Sequence, residues 1–431
     1  MSRIVKSFRV EQPDNFKKRM LNWAQSHQEI VFLDSNNHDN KYSSFNAVLA
    51  ANSVSCLKTN ATNSFERLSQ YKNETKDWIF GYLSYDLKNE LEDLTSSNFD
   101  GLGFYSLHFF QPQKLIFLKG NLAEFQYLNC NQETISTDFK EICETKLKNN
   151  PITIFEKPKI SLRIHKDAYL NKICQVLKRI QKGAIYEVNI CQEFYAEETR
   201  IDPLSTYEKL NSISKAPFAT YLKLDNNYAL CASPERFLKK KNTKLIAQPI
   251  KGTAARSSNA MEDSMFKAGL ANDPKELSEN IMITDLVRND LSKNALKGSV
   301  KVEELCKVYS FKQVHQMIST VSAQTEADPI DLIKDSFPMG SMTGAPKVSA
   351  MKIIEEFEET KRGLYSGAVG YFDASHNFDF NVIIRSILYN SKKKFVSYSV
   401  GSAITAQSNP QNEYQECLLK AKAMRSVLEQ K

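Results

Sequence analysis

Two predicted helix starts share one pattern: a capping Asp or Asn, then proline, then two glutamates three residues apart. Residues three apart lie on one face of a helix, so each pair can point two carboxylates the same way. Mg²⁺ prefers such oxygen ligands, and the two pairs together could form a four-carboxylate site. The glutamates are Glu276 and Glu279 in the first helix and Glu413 and Glu416 in the second. The spacing alone leaves open that they only cap the helices and complement their dipoles.

Lys251 is a candidate nucleophile. It stands between a strand-like run that ends at Ile250 and the small residues Gly252 and Thr253. A lysine that is buried or flanked by cations loses its proton more easily, and its neutral amine is a nucleophile. The local sequence is equally compatible with a surface lysine beside a turn glycine.

The segment from Gly340 to Lys347 contains two glycines and two hydroxyl side chains at a predicted junction between a loop and a helix. A Walker A loop needs four residues between its glycines and a Lys-Ser or Lys-Thr pair directly after the second, and this segment has neither. Backbone N–H groups at a helix start can still bind a carboxylate, which makes Ser341 and Thr343 candidate substrate-binding residues. A plain turn is the alternative.

The elements that must position these residues change character along the chain. Residues 31–118 contain short β-rich runs separated by Asn, Ser and Gly, and a polar helix is predicted near 137–148. Asn149, Asn150 and Pro151 then break the pattern. We therefore predict an N-terminal region of residues 1–150 and a catalytic region of residues 151–431. In the second region, residues 185–194 read as a strand with a polar face that includes Glu187.

Composition restricts the class of protein. The chain has 431 residues, of which 42% are hydrophobic and 25% charged, so it is long enough for a large globular core. Its net charge of +7 is spread out rather than concentrated, which does not indicate a nucleic-acid partner. The eight cysteines show no zinc spacing, and no segment reads as a signal peptide or membrane span. We expect a soluble, cytoplasmic protein that binds neither nucleic acid nor membrane.

Taken together and in order, several segments resemble the chorismate-utilising enzyme family, which contains anthranilate synthase component I, aminodeoxychorismate synthase component I, and the isochorismate and salicylate synthases. The segments are Ser233 to Phe237, Pro249 to Thr253, Glu279 to Asp290, Gly344 to Lys347 and Glu413 to Glu416. They cover most of residues 160–425, and the N-terminal third matches more loosely. The resemblance implies an α+β fold in which two antiparallel β-sheets pack as a sandwich with helices outside.

The resemblance also implies a reaction. Aminodeoxychorismate synthases carry lysine in the Pro-Ile-Lys-Gly-Thr segment where anthranilate synthases carry alanine, and here the residue is Lys251. In that subfamily the lysine adds to carbon 2 of chorismate as the C4 hydroxyl leaves, and ammonia then replaces the lysine by adding at carbon 4. Glu235 matches the general acid. A lysine in this role should have a lowered pKa, and the ammonia should come from a separate glutamine amidotransferase subunit, since the sequence shows no glutaminase motif.

Further site residues follow from the same resemblance. Glu276, Glu279, Glu413 and Glu416 match the glutamates that hold Mg²⁺. Tyr365, Arg385, Gly401 and Lys420 match residues that contact the substrate. Ser35, Tyr42 and Ser43, beside Asp34, resemble a pocket that binds tryptophan in some members.

The chain departs from the family pattern at three positions. Gln316 stands where anthranilate synthases have histidine, and Ala403 replaces the second of two glycines. Glu187 stands where the subfamily more often has glutamine, so it adds either a base or another polar wall residue. The alternatives to an aminodeoxychorismate synthase are an anthranilate synthase component I and a non-catalytic chorismate- or tryptophan-binding subunit.

Overall fold

The computed structural model describes residues 2–38, 41–60, 62–147, 156–312 and 314–429. Within these ranges the helices are α1 (Pro13–Ala24), α2 (Ser64–Thr75), α3 (Lys88–Leu91), α4 (Gln132–Glu144), α5 (Lys166–Gln181), α6 (Pro203–Ser214), α7 (Ala260–Asn272), α8 (Pro274–Ser292), α9 (Pro329–Ser336), α10 (Lys347–Phe357) and α11 (Pro410–Glu429). The strands are β1 (Ile4–Arg9), β2 (Ile30–Asp34), β3 (Ala47–Thr59), β4 (Ile79–Leu83), β5 (Leu107–Lys119), β6 (Leu122–Tyr127), β7 (Ser161–Leu162), β8 (Glu187–Ala196), β9 (Phe218–Leu224), β10 (Asn227–Ser233), β11 (Arg236–Lys241), β12 (Lys244–Gln248), β13 (Ile250–Ala255), β14 (Lys301–Ser310), β15 (Val314–Gln324), β16 (Gly344–Ala345), β17 (Ala368–Phe372), β18 (Phe378–Val382), β19 (Ser386–Asn390) and β20 (Phe395–Thr405).

The strands form two antiparallel sheets that share β3 and β5. The first sheet has the order β1, β6, β5, β3, β2, β9, β10, β19, β20, β8, with β7 and β16 beside β8. The second runs from β3 through β5, β4, β17, β18, β11 and β12 to β15, which also pairs with β13 and β14. The long strand β5 belongs to both sheets because its first half pairs with β4 and its second half with β6.

Alternate residues of the first sheet point into two different hydrophobic layers, as the pleat of a strand requires. Val31 and Val48 pack in one cluster with Phe80 and Phe380 of the second sheet. Phe32 and Leu49 pack on the opposite face, against the outer helices. The helical members of that outer layer include Met20 of α1, Ile173 of α5 and Met424 of α11. The predicted α+β sandwich with helices outside is therefore confirmed.

The two helices that carry the paired glutamates begin where the capping pattern predicts. The Asp273 side chain accepts hydrogen bonds from the backbone N–H groups of Lys275 and Glu276 at 2.9 and 3.1 Å, and Pro274 is the first residue of α8. Asn409 caps α11 in the same way. The caps fix both helix starts, so the glutamates in the first two turns have defined directions.

The N-terminal and C-terminal parts of the chain contribute strands to the same sheets. Strand β2 pairs with β9, and β4 pairs with β17. The predicted boundary between residues 150 and 151 lies outside the described residues and stays a prediction. Among the described helices, none combines the length and the apolar character that crossing a bilayer requires.

Candidate active site

Lys251 is buried and paired with a carboxylate from the other sheet. Its Nζ donates a hydrogen bond of 2.6 Å to Oε1 of Glu187. Lys251 lies in β13 of the second sheet and Glu187 begins β8 of the first, so the pair joins the sheets far from their shared strands. The two side chains are 9% and 1% exposed. The surface-lysine interpretation of Lys251 is therefore wrong.

The charge around Lys251 differs from the expectation. Burial lowers the pKa of this amine, but the carboxylates of Glu187 and Glu279 raise it by more, with a further contribution from Glu235. The resulting pKa lies above the ordinary value for lysine. The prediction of a lowered pKa is wrong for this state of the site, because carboxylates rather than cations surround the amine. Lys251 is therefore an ammonium at neutral pH.

Glu235 lies in the short connection between β10 and β11 and is buried. Its Oε1 accepts a hydrogen bond of 2.6 Å from the hydroxyl of Ser341. Burial raises the pKa of Glu235 to about 7, although the Ser341 hydrogen bond and the nearby Lys251 ammonium lower it. A carboxylic acid with this pKa holds a proton near neutral pH and can donate it, which suits the predicted role of general acid.

The four candidate metal ligands line one region between α8, α11 and β20. The Nζ of Lys275 lies 3.8 Å from Oε1 of Glu279 and 3.2 Å from Oε1 of Glu413. Burial raises the pKa of Glu276, and the proximity of Glu416 adds to this. Two helices thus direct several carboxylates toward one another, with a lysine among them.

The donor chemistry of this region fits a hard divalent cation. Oε1 of Glu279 is buried and has no hydrogen-bond partner among the described residues. Burial raises the pKa of Glu279 to about 7, although the ammonium groups of Lys251 and Lys275 lower it, so these two charges do not fully offset the cost of burying the carboxylate. Within the described ranges, however, no three acidic, His or Cys side chains already converge on one point. The oxygen donors therefore suit Mg²⁺. To bind the ion, the glutamate side chains must move closer together and the Lys275 ammonium must move away from Glu279 and Glu413.

Two predicted substrate contacts lie one turn beyond Glu416, at the middle of α11. The Nζ of Lys420 donates to the carbonyl of Gly401 at 2.9 Å and lies 2.5 Å from Oε1 of Glu416. The guanidinium of Arg385 donates to the backbone carbonyl of Lys420 at 3.2 Å. These two cations are therefore adjacent and can be presented to an anionic substrate.

Gly401 and Tyr365 form the wall beside these cations. A Cβ added to Gly401 would lie 2.2 Å from Oδ1 of Asn189 and 2.6 Å from Sγ of Cys191, so β20 can approach β8 here only as glycine. The thiol of Cys191 contacts the hydroxyl of buried Tyr365 at 3.8 Å. Strand β8 therefore sets the position of both predicted contacts.

Ser341 and Thr343 have different surroundings. The Ser341 hydroxyl reaches Glu235, as described above. The Thr343 hydroxyl donates to the carbonyls of Met339 and Gly340 and is fully buried. Thr343 thus stabilises the turn that presents Ser341, and its direct contact with substrate stays a prediction.

Three supporting residues were not identified from the sequence. Arg362 is buried, pairs with Glu358 at 2.6 Å, and donates to the carbonyls of Met342 and Asn189 at 2.6 and 2.8 Å. Glu358 in turn accepts from the N–H of Cys191. Lys275 lies among the metal-site carboxylates. The i, i+4 spacing of Glu358 and Arg362 signals an ion pair, but only the fold shows that this pair ties β8 to the loop before β16.

The residues of the predicted tryptophan pocket are engaged elsewhere. The backbone N–H of Ser35 donates to the carbonyl of Asn46, and Ser43 is exposed. The Tyr42 hydroxyl donates to Glu303 of β14 at 2.5 Å. Asp34 accepts from Lys17 at 2.9 Å. Tryptophan binding stays a prediction.

The departures from the family pattern also have defined places. Gln316 is buried, and its side-chain carbonyl has no partner among the described residues. The neighbouring His315 bonds to Ser310 and Asp263, so it does not replace the histidine expected at position 316. Ala403 lies in β20 opposite Asn189 of β8. His315 therefore does not take the place of the family histidine, and Glu235 as the general acid stays a prediction.

Comparisons with known proteins show which family the chain resembles. A family model described as chorismate binding enzyme matches residues 17–426. A probable chloroplastic aminodeoxychorismate synthase of Oryza sativa subsp. japonica is 40% identical over 66% of this chain and 33% of its own length. An anthranilate synthase component I-like protein of Synechocystis is 33% identical over 82% of this chain and 72% of its own length. Aminodeoxychorismate synthase component 1 of Escherichia coli K12 is 39% identical over 61% of this chain and 58% of its own length.

Two solved structures share the fold. Anthranilate synthase component I of Streptococcus pneumoniae superposes with a TM-score of 0.76 at 24% identity, covering 90% of this chain and 94% of that one. The menaquinone-specific isochorismate synthase of Escherichia coli gives 0.77 at 18% identity, covering 99% and 94%. The chain spans about a third of the length of the rice relative, at 33%. The match to the family model over residues 17–426 nevertheless places the chain in the family of chorismate-binding enzymes.

Proposed function

We propose that the chain replaces the C4 hydroxyl of chorismate with an amino group and so makes 4-amino-4-deoxychorismate, the precursor of 4-aminobenzoate and folate. The observation that carries the proposal is the buried Lys251 amine, which lies in the site with the protonatable Glu235 nearby. Lysine at this position distinguishes the aminating subfamily. The relatives from rice and Escherichia coli that bear aminodeoxychorismate synthase names support this choice.

The proposed chemistry uses two protein groups on the substrate ring. The Lys251 amine adds to carbon 2, the ring double bonds shift, and the C4–O bond breaks. Glu235 donates its proton to the departing oxygen, which leaves as water. Ammonia then adds at carbon 4, the bond between carbon 2 and Lys251 breaks, and Glu235 takes up the excess proton. Chorismate and ammonia give aminodeoxychorismate and water, and the enolpyruvyl group is retained.

The metal site serves the ring carboxylate in this proposal. The residues that would hold Mg²⁺ are Glu276, Glu279, Glu413 and Glu416. When bound, the ion supplies Lewis-acid attraction that draws electron density toward the ring carboxylate and offsets the repulsion between protein carboxylates and the dianionic substrate. The ammonium of Lys275, which now lies between Glu279 and Glu413, must move aside for this.

The second carboxylate of chorismate, on the enolpyruvyl group, is assigned to Arg385 and Lys420, one turn beyond Glu416 on α11. The planar guanidinium of Arg385 can bind a carboxylate through two parallel hydrogen bonds, and Lys420 adds a second positive charge. Tyr365 and Gly401 shape the adjoining wall.

The nitrogen donor is proposed to come from a second subunit. In this proposal the ammonia comes from a glutamine amidotransferase, or from ammonium salts in its absence. The name of the Escherichia coli relative, component 1, is consistent with a two-component enzyme.

Product identity tests the proposal. The purified chain is incubated with chorismate, Mg²⁺ and ammonium, and the products are separated by chromatography with and without added aminodeoxychorismate lyase. We expect 4-aminobenzoate only when the lyase is present. Anthranilate and pyruvate without the lyase would instead identify an anthranilate synthase, and no turnover at any Mg²⁺ concentration would support a non-catalytic binding subunit.

A further inference from the structure

The contact between Lys251 and Glu187 is the closest approach of any described carboxylate to the proposed nucleophile. The Nζ to Oε1 distance is 2.6 Å, and no other described carboxylate lies within ion-pair distance of this amine. Both residues are buried, so water does not compete for the hydrogen bond. Oε2 of Glu187 is buried as well and has no partner among the described residues.

This contact raises a chemical problem for the proposed function. An ammonium has no lone pair and cannot attack carbon 2, so a proton must leave Lys251 before the first bond forms. The site is closed to bulk water around Lys251, which disfavours direct loss of the proton to solvent. A proton acceptor must therefore lie within hydrogen-bond distance of the amine.

We infer that Glu187 is the catalytic base that takes a proton from the Lys251 ammonium and thereby activates it as the nucleophile. The inference rests on the proposed function, because it assigns a role within that reaction. Glu187 meets the geometric requirement for a base, since its Oε1 already accepts the hydrogen bond along which the proton would move. Its Oε2 is buried and accepts no hydrogen bond from the described residues, so Lys251 is the donor that this carboxylate contacts.

The other charged groups around the amine are less suited to this role. The charged groups that act on Lys251 come from four elements: Glu187 of β8, Glu235 before β11, Glu276 and Glu279 of α8, and Glu416 of α11. Glu235 is hydrogen-bonded to Ser341 and must supply a proton rather than remove one. The other three belong to the proposed metal site. Glu187 is the one that contacts Lys251 and has no second assignment.

The proton balance closes over one turnover. The ammonium of Lys251 transfers one proton to Glu187, and the neutral amine forms the bond to carbon 2 while Glu235 protonates the leaving hydroxyl. When ammonia adds at carbon 4, the bond between carbon 2 and nitrogen breaks and Lys251 leaves as an amine. Glu235 takes one proton from the new ammonium group, and Glu187 returns its proton to Lys251. No external oxidant, reductant or further reactant is required.

The substitution Glu187→Gln provides the test, because glutamine keeps the shape and the hydrogen-bonding carbonyl but cannot accept the proton. We expect kcat/KM for chorismate to fall by about 10²- to 10⁴-fold at neutral pH. The pH dependence should also change when free ammonia is held constant. Below about pH 7 the wild-type rate should be nearly flat, whereas the variant rate should rise about tenfold per pH unit as solution deprotonation of Lys251 becomes limiting. If Glu187 had only a structural role, the substitution would lower the rate but would not make it rise with pH.

A matched control comes from the same strand. Glu193 of β8, six residues further along the strand, is also buried, but it pairs with Arg163 rather than with Lys251. Glu193→Gln therefore removes a buried carboxylate from β8 and should leave the pH profile unchanged. Thermal unfolding of both variants checks that they fold.

A second variant keeps the inference testable if Glu187→Gln does not fold. In Glu187→Ala, added formate or acetate should restore part of the activity, and the same concentration of chloride should not. Wild-type rate and pH profile in Glu187→Gln, or no rescue of a folded Glu187→Ala, would overturn the role of Glu187 while leaving the proposed function intact. If the wild-type chain makes no aminodeoxychorismate, the proposed function fails first.

Discussion

Two buried groups of charges in this molecule are built in opposite ways. In the N-terminal region, Lys17 and Asp34 form a nearly one-to-one pair at 2.9 Å, and the backbone N–H of Asn36 and the side chain of Asn37 complete their hydrogen bonds. In the candidate active site, six glutamates face three lysines and one arginine. The glutamates are Glu187, Glu235, Glu276, Glu279, Glu413 and Glu416, and the cations are Lys251, Lys275, Lys420 and Arg385.

The difference indicates which group serves stability and which serves function. Balanced, fully hydrogen-bonded charges can be buried at little net cost, whereas unbalanced carboxylates raise each other's pKa and leave oxygen atoms without partners. The unpartnered oxygen atoms of Glu187 and Glu279 are examples of this cost. The proposed Mg²⁺ and the proposed proton transfers would make use of this excess of negative charge.

The largest effect is expected for the proposed nucleophile. Lys251→Ala should lower the rate of aminodeoxychorismate formation by at least about 10³-fold, because no other amine can form the bond to carbon 2. The measurement is the lyase-coupled assay under saturating chorismate. Lys301→Ala, which changes an exposed lysine of β14, serves as the control. Full activity with an unchanged product in Lys251→Ala would show that the reaction does not pass through a lysine adduct.

Glu235→Gln should be the next most damaging substitution, with a loss of about 10²- to 10⁴-fold. Because the pKa of Glu235 is raised to about 7, the acid form is populated below that pH and lost above it. The wild-type rate at constant free ammonia should therefore fall as the pH rises through about 7, and the variant should lack this limb. Glu326→Gln, at an exposed position, is the control. A descending limb that survives in Glu235→Gln would assign the acid to another group.

The balanced group should affect stability instead of catalysis. Lys17→Met leaves Asp34 buried without its ion-pair partner, and we expect the free energy of unfolding to fall by about 3 kcal/mol. The value of kcat should be unchanged while the protein remains folded. Lys18→Met, at the exposed neighbouring position on α1, should change neither the free energy of unfolding nor kcat. A large loss of kcat in folded Lys17→Met would break the contrast between the two groups.

The smallest of these effects concerns metal affinity. Glu279→Gln should weaken the apparent affinity for Mg²⁺ by about tenfold or more, since one anionic ligand is lost. Asp285→Asn, at an exposed carboxylate of the same helix, should not change it.

Stability gives a second readout for the same variant. The folded-state pKa of Glu279, at about 7, lies above its ordinary value, so the wild-type protein without metal loses stability as the pH rises toward 7. Metal-free Glu279→Gln should lack this loss, and its melting temperature at about pH 8 should equal or exceed that of wild type. A markedly lower melting temperature would show that Glu279 is a stabilising residue.

Local motifs predicted much of this molecule. The Asp-Pro and Asn-Pro patterns predicted the starts of α8 and α11, because capping depends on side chains within a few residues of the backbone groups they satisfy. The sandwich fold followed from the family resemblance rather than from periodicity, since alternation along a strand does not reveal which strands pair.

Features that depend on contacts between residues distant along the chain could not be predicted from the sequence. The raised pKa of Lys251 results from Glu187, which is 64 residues away along the chain, and from Glu279 on a separate helix. No local pattern reports such a balance of charges. The same holds for Lys275, whose proximity to Glu413 requires α8 and α11 to meet. Spacing identified the residues of the site, but their protonation states depend on how the elements pack.

The link between β8 and β13 also bears on how the enzyme folds. The pair of Lys251 and Glu187 joins the two sheets far from the strands they share, so it can form only after both sheets are in place. Contacts between residues distant along the chain form slowly, because the loops between them must close first. The chemistry of this site is therefore among the last properties a refolding chain acquires, and return of activity reports completion of the whole sandwich rather than of either sheet alone.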